Sequence, residues 1–526
     1  MSNGLARDIR WVASVAALVL LAAAAAGAEP PPDGRTLVRT YCSGCHLEKD
    51  GAFARISAIR KTPEGWVMTL FRMKQVHGLA LDADTRDAIV HYLADTQGLA
   101  PSEAAAGRFA LERRPNAQDI DQGPEINVMC GRCHTIARAA LQRRDADEWL
   151  KLAHTHLGQW PSLEYQASGR DRPWWQIAST ELPAKLAALY PFKSDAWTAW
   201  RAKPARDLAG SWVVVGHEPG GRDLYGTAEI AHDATGGYTA HYSLADAAGI
   251  VLGGESHALL YTGYEWRGRS TLGPRETREV LAVSEDGSRI TGRWFDAEHA
   301  EEGGDWTLVR SDAPPEVLAV LPRALKAGTT AVVTVVGTGL AGPGAPTFGA
   351  GIGARIVSSS ANVLRAELTV AQDAAPGART LSVGKASGSL PIYRQVDRVD
   401  VSPPFGIARL GGGKTPPVTA QFEALAFTRL PGGEFLALGP MAAEWSAENF
   451  DAEATRTDDV RFAGHLEAGG RYLPAGAGPN PKREYSGNNV GNLAIVARIR
   501  DGADRAVEGR SHLIVTVQRW NTPPIY

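Results

Sequence analysis

Residues 41–51, YCSGCHLEKDG, and residues 129–144, MCGRCHTIARAALQRR, each contain Cys-x-x-Cys-His. Together they hold every cysteine of the 526-residue chain: Cys42, Cys45, Cys130 and Cys133. Two cysteines three apart on one helical turn present their sulfurs on the same side. They can then form thioethers with the two vinyl groups of a porphyrin, and the next residue, His46 or His134, falls over the ring face as proximal iron ligand. A zinc ribbon gathers four ligands on one metal from pairs at short spacing. Here 88 positions separate Cys42 from Cys130, and each pair has its own histidine. A thioredoxin-like site needs a βαβ context that the flanks do not offer, and disulfides leave both histidines unexplained. The motifs therefore predict two covalently bound haem c groups.

Helical patterning surrounds both motifs. In LALDADTRDAIVHYLADTQGLAPSE (79–103), Leu81, Ala88, Ile89, Tyr92 and Leu93 make an apolar stripe, with Asp82 or Asp84 near its start and Gly98 after its end. PAKLAALYPF (183–192) closes the second unit in an analogous way. A terminal helix ending in a Tyr-Leu pair is similar to that of small class I cytochromes c, so residues 29–200 read as an all-α dihaem cytochrome c domain of two fused units. Candidates for the sixth iron ligand are Met68, Met73 and His77 in EGWVMTLFRMKQVHGLALD (64–82), and His154 and His156 in DEWLKLAHTHLGQWPSLEYQ (147–166). Placing Trp66 over Trp149 sets Met73 over His156, seven residues on in both. This weak repeat assigns Met73 to the first iron and His156 to the second, with His77 and His154 as alternatives; core packing is the competing role for Met73. Met/His ligation raises an iron potential relative to bis-His ligation, so electrons are expected to run from the second haem to the first.

A net charge of −3 excludes the global basicity of a nucleic-acid binder. At the N-terminus, Arg7 and Arg10 precede the apolar WVASVAALVLLAAAAAGAEP (11–30), and Ala26-Gly27-Ala28 makes a small-residue cleavage site. Residues 1–28 are read as a cleaved signal peptide, with a single N-terminal anchor as the alternative, and the mature chain is expected in the periplasm without a membrane span.

Past residue 200 the pattern changes to short alternating or apolar runs bounded by Gly and Asp, among them GSWVVVG (210–216), GYTAHYSLAD (237–246) and DWTLVR (305–310), with SEDGSR (284–289) as a hairpin signal. Six to eight strands are expected, giving an antiparallel β-barrel over 201–312. A Pro-rich break at SDAPPEV (311–317) opens a strand-rich segment, 313–395, read as an immunoglobulin-like sandwich without the Cys–Trp–Cys hallmark, and 396–526 reads as a second one. LGGGKT (410–415) is not a phosphate loop, because Ala408 stands where that motif requires glycine and no helical pattern follows Lys414. His217, His232, His241, His257, His299, His465 and His512 are scattered without pairing, so surface or packing roles are expected of them. No nucleophile elbow is present, and no catalytic residue is assigned.

Three stretches carry a family resemblance: CGRCHTIARAALQRR (130–144), EWLKLAHTHLGQWPSLEYQASGRDRPWW (148–175), and RMKQVHGL (72–79) with YLADTQGLAPSE (92–103). They resemble the α subunit of quinohaemoprotein amine dehydrogenase. That resemblance implies a heterotrimer with a small subunit carrying cysteine tryptophylquinone, which oxidises primary amines, and a β-propeller subunit. The α subunit would pass electrons from the reduced quinone through its haems to a soluble periplasmic cupredoxin or cytochrome c. None of the 14 tryptophans of this chain marks itself as modified. Two other readings compete: a dihaem c-type peroxidase with one open iron position, and a haem-based sensor or adhesin. Plausible sixth ligands in both units favour the electron-transfer subunit.

Overall fold

In the computed structural model, residues 33–158, 162–220, 222–341, 345–502 and 504–518 are described. The signal-peptide segment 1–28 lies outside them. The N-terminal region is helical in its main elements, several of them started by a side-chain cap. Asp33 accepts from the Thr36 amide to start helix Gly34–Cys42, and Thr62 does the same for Gly65 at helix Pro63–His77. Asp82 and Asp145 cap helices Ala83–Thr96 and Ala146–Thr155. Ile89 and Leu93 face the core as the stripe predicts, whereas Ala88 is exposed.

The expected all-α domain is corrected by two antiparallel ladders. Glu48–Lys49 pairs with Ala52–Phe53 directly after the first motif, and Ile59–Lys61 pairs with Gln142–Arg144. The second ladder joins the two units in the register Ile59↔Arg144, Arg60↔Arg143, Lys61↔Gln142. The two strands are equivalent segments of the repeat that sets Trp66 over Trp149, and Arg60 faces its own equivalent: Arg60, Trp66 and Met73 correspond to Arg143, Trp149 and His156, 83 positions on. The repeat is thus a local two-fold passing through the Arg60–Arg143 pair. Both arginines are buried, 2 % and 5 % exposed, and converge on Glu103. Arg60 donates to both Glu103 oxygens at 2.7 and 2.8 Å, Arg143 at 3.2 Å, and Ser194 Oγ and the Ala100 amide each at 2.8 Å. Although burial works against the carboxylate, the Arg60 bond and its companions hold Glu103 down at about 2.

The next segment meets the barrel expectation. Eight strands from Gly210–Glu218 to Gly303–Arg310 pair in chain order, and the last returns to the first through Asp305↔His217 and Arg310↔Trp212. Ser284–Arg289 makes the expected hairpin turn, with Gly287 at φ 75°. Trp212, Trp266, Trp294 and Trp306 fill the interior around Glu279, which accepts from Tyr242, Ser256 and Trp266 at 2.8–2.9 Å. The same core runs on through Leu99, Ala104, Leu141, Trp197 and Trp200, so the helical region and the barrel share buried apolar surface.

The immunoglobulin-like labels also give way to a description by sheets. The third segment places a four-stranded sheet, with Thr330–Thr338 and Val363–Val370 at its centre, across a core from a three-stranded one carrying Gly377–Val383 and Ala386–Tyr393. Among the described residues the fourth holds three sheets and the short α-helices Ala452–Arg456 and Asp459–Phe462. Phe405–Arg409 runs parallel to Ala506–Thr516. Multiple domains and a predominance of β-structure after residue 200 are as expected.

Candidate haem-binding site

Both Cys-x-x-Cys-His segments sit at the same place in the local structure, at the C-terminal end of a helix. Cys42 ends helix Gly34–Cys42 and Cys130 ends helix Pro124–Cys130. Past Cys42 the chain stays wound, its carbonyl accepting from the amides of Cys45 and His46 at 3.2 and 2.8 Å. No disulfide links the four cysteines; in each pair the first is half-buried and the second exposed. Burial raises the Cys42 thiol and pushes Cys130 up to about 11. Such thiols are not primed as thiolate redox groups.

The histidines share a second feature. Nδ1 of His46 lies 2.9 Å from the Ala54 carbonyl oxygen, and Nδ1 of His134 lies 2.8 Å from that of Thr135. Nδ1 of His156 likewise lies 2.8 Å from the Leu152 carbonyl. A ring that donates from Nδ1 to a carbonyl is the tautomer whose lone pair is on Nε2, which is the form that ligates a metal. For His134, burial disfavours the charged ring and lowers its pKa, with the neighbouring charges of Arg138 and His156 acting in the same direction.

His134 and His156, two predicted ligands of the second unit, thus lie near enough for their charges to oppose one another. His154 is exposed and packs edge-on against Trp175 at 5.0 Å between ring centres. In the first unit Met73 is half-buried and His77 is exposed at the last turn of helix Pro63–His77. Among the described residues no hydrogen bond or ring contact joins either to His46. Each motif has its own apolar surroundings. Cys42 packs with Phe53, Ile59, Trp66 and Leu70, while Cys130 packs with Ile126, Met129, Trp149 and Leu186. The donor set, the tautomers and two separate apolar clusters fit one haem per motif.

Family models match the chain in four consecutive pieces. The "Quinohemoprotein amine dehydrogenase A, alpha subunit, haem binding" model covers residues 32–197, and alpha subunit domains II, III and IV cover 205–311, 314–394 and 399–525. The chain belongs to the quinohemoprotein amine dehydrogenase α-subunit family. It is therefore the haem-binding subunit of an oxidoreductase acting with partner subunits. A search of curated proteins returns no match. Among solved structures, a redesigned beta barrel, mFAP1, bound to DFHBI is 15 % identical, with 20 % of this chain and 94 % of that chain covered and a TM-score of 0.18. Mouse Cadherin-23 EC22-24 is 12 % identical over 60 % of this chain and 89 % of that chain, at TM-score 0.15.

Patterning around the motifs did not reveal how the two units are joined. Arg60, Glu103 and Arg143 lie far apart in sequence and carry no motif, and only the ladder register brings them together. His217, expected in a surface or packing role, instead bridges two domains. Its Nδ1 meets Asp223 and its Nε2 meets Glu423 of the fourth segment, both at 2.8 Å. Among the described residues, no helix is long and apolar enough to cross a membrane.

Proposed function

We propose that this chain is the electron-transfer subunit of a periplasmic quinohaemoprotein amine dehydrogenase. It would take electrons from a reduced quinone, cysteine tryptophylquinone, on a small partner subunit and deliver them to an external cupredoxin or cytochrome c, with a β-propeller subunit completing the heterotrimer. The observation that carries this reading is the repeated Cys-x-x-Cys-His geometry, with each histidine held by Nδ1 on a backbone carbonyl. Cys42 and Cys45, and Cys130 and Cys133, would form the thioethers, and His46 and His134 would ligate the irons. Met73 and His156 are the proposed sixth ligands. Haem, when bound, supplies a one-electron iron couple and no substrate chemistry. The chain's own work would be to hold that couple in place: Trp66 and Trp149, 1 % and 3 % exposed, are packed into the apolar cluster beside each motif. The domain division follows the sequence, with 29–200 binding haem and 201–312, 313–395 and 396–526 serving as β-rich platforms for the partners.

The test is mass spectrometry of the denatured, exported protein. Two added porphyrin masses that survive unfolding are expected, and bare polypeptide mass overturns the reading. Low-spin iron in both sites is expected at rest; a high-spin site accompanied by peroxidase turnover would replace electron transfer by peroxide reduction.

A further inference from the structure

Between the two attachment segments the protein gathers positive charge that its own carboxylates do not balance. Lys61, 3 % exposed, sits at one end of the central ladder and donates from Nζ to Thr69 Oγ1 at 2.6 Å, with the Trp66 ring 5.4 Å away. Arg144, 2 % exposed, occupies the two-fold-related position, 5.8 Å from the Trp149 ring. Arg72 stands half-buried one turn beyond Thr69 on helix Pro63–His77, and Arg138, exposed, lies one turn before Gln142, the ladder partner of Lys61, whose Nε2 donates to the Arg138 carbonyl at 2.9 Å. Arg55 completes the group. Its one carboxylate is Glu148, already engaged by Arg55, Arg144 and Lys151. Among the described residues, Lys61, Arg72 and Arg138 have no carboxylate within ion-pair distance. Burial, and after it the charges of Arg144, Arg72 and Arg55, holds the Lys61 ammonium well below its ordinary range.

A buried cation such as Lys61 is costly without a counter-ion, and with half-buried Arg72 and exposed Arg138 beside it the group would be completed by an anion entering from the exposed edge. The anion wanted here is planar and singly charged, suits a bidentate guanidinium contact, and must reach both repeats. Each porphyrin of the haem type carries two such groups, its propionates. Arg72 directly precedes Met73 and Arg138 follows His134 by four residues, so both stand beside the iron ligands proposed above. We infer that Lys61, Arg72 and Arg138 form a carboxylate receptor, shared between the repeats, that binds haem propionates at the junction of the two units. The assignment rests on the two-haem reading. It makes these residues positioning groups that set the iron potentials, because a cation near the iron disfavours the oxidised state.

The experiment uses the full chain exported with its haems. Intact mass of the wild type reports attachment alone, so loss of both porphyrins there counts against the haem reading and not against the receptor. With both attached, stepwise redox titration of Arg72→Gln and Lys61→Gln is expected to lower at least one reduction equilibrium constant about tenfold, which is about 59 mV for a one-electron couple. Arg72→Lys should restore most of that loss. A purely structural role would lower yield or melting temperature while leaving both potentials in place, and that result overturns the proposal. Arg138→Gln, at the exposed edge, provides the same readout should the buried variants fail to fold. Phosphate added to the wild-type holoprotein at constant ionic strength should shift neither potential. A shift would mean the cations stand open to solution anions, and would equally overturn it.

Discussion

Glu103 shows how much one side chain can hold. Two buried guanidiniums, a hydroxyl and a backbone amide converge on its carboxylate. Removing the charge in Glu103→Gln leaves Arg60 and Arg143 buried without a counter-ion, and chemical denaturation should show a loss of about 3–5 kcal/mol. The pH dependence has a definite sign. Because the folded carboxyl titrates at about 2, below its ordinary 4.5, its stabilisation is complete above pH 4.5 and lost as pH falls toward 2. A wild type and a Glu103→Gln variant with equal acid sensitivity in that window would contradict the assignment. At the second iron, His156→Ala should convert a low-spin spectrum to high-spin while His154→Ala leaves it unchanged. The reverse outcome would move the sixth ligand to His154. The motif histidines were legible from sequence because their spacing is local. Glu103 was not, because its role exists only where chain segments separated by tens of residues meet.

At the scale of elements, the caps and the strands of the barrel were readable, since capping chemistry and alternation are written in a few consecutive residues. The three-residue ladder was not: IRK and QRR have no strand pattern, and their pairing depends on burial between two helical units. Gly98 makes the same point. Sequence reasoning places it after the helix end, and helix Ala83–Thr96 with its C-cap Gln97 does stop just before it, but what requires glycine there is crowding that no local pattern shows. A Cβ there would stand 2.2 Å from the Ala94 carbonyl oxygen and 2.6 Å from Thr262 Oγ1 of the barrel. Gly98→Ala should cost about 1–3 kcal/mol by forcing the two domains apart. The measurement is thermal unfolding, and an unchanged melting temperature would show that the contact yields freely.

Across the whole molecule, His217 ties the barrel to the fourth segment. Burial opposes its charge, but the bonds to Asp223 and Glu423 outweigh it and lift the imidazole to about 9. A raised folded pKa stabilises fully below the ordinary 6.5 and is lost as pH climbs through 9. Wild-type stability should therefore decline over that interval on the order of 2–3 kcal/mol, and the His217→Gln variant should show no such slope. Parallel slopes would remove the junction from the account. Potentiometry addresses the other molecular-scale expectation, that the iron attached through Cys130 and Cys133 has the lower potential; finding it higher would invert the proposed direction. The ladder through Arg60 and Arg143 sharpens what that direction means. Because its register pairs Arg60 with its own equivalent, the ladder by itself gives electrons no preferred way to travel. If Met73 and His156 are the sixth ligands proposed above, two unlike side chains stand at equivalent positions of the repeat, so exchanging them should narrow or invert the gap between the two potentials.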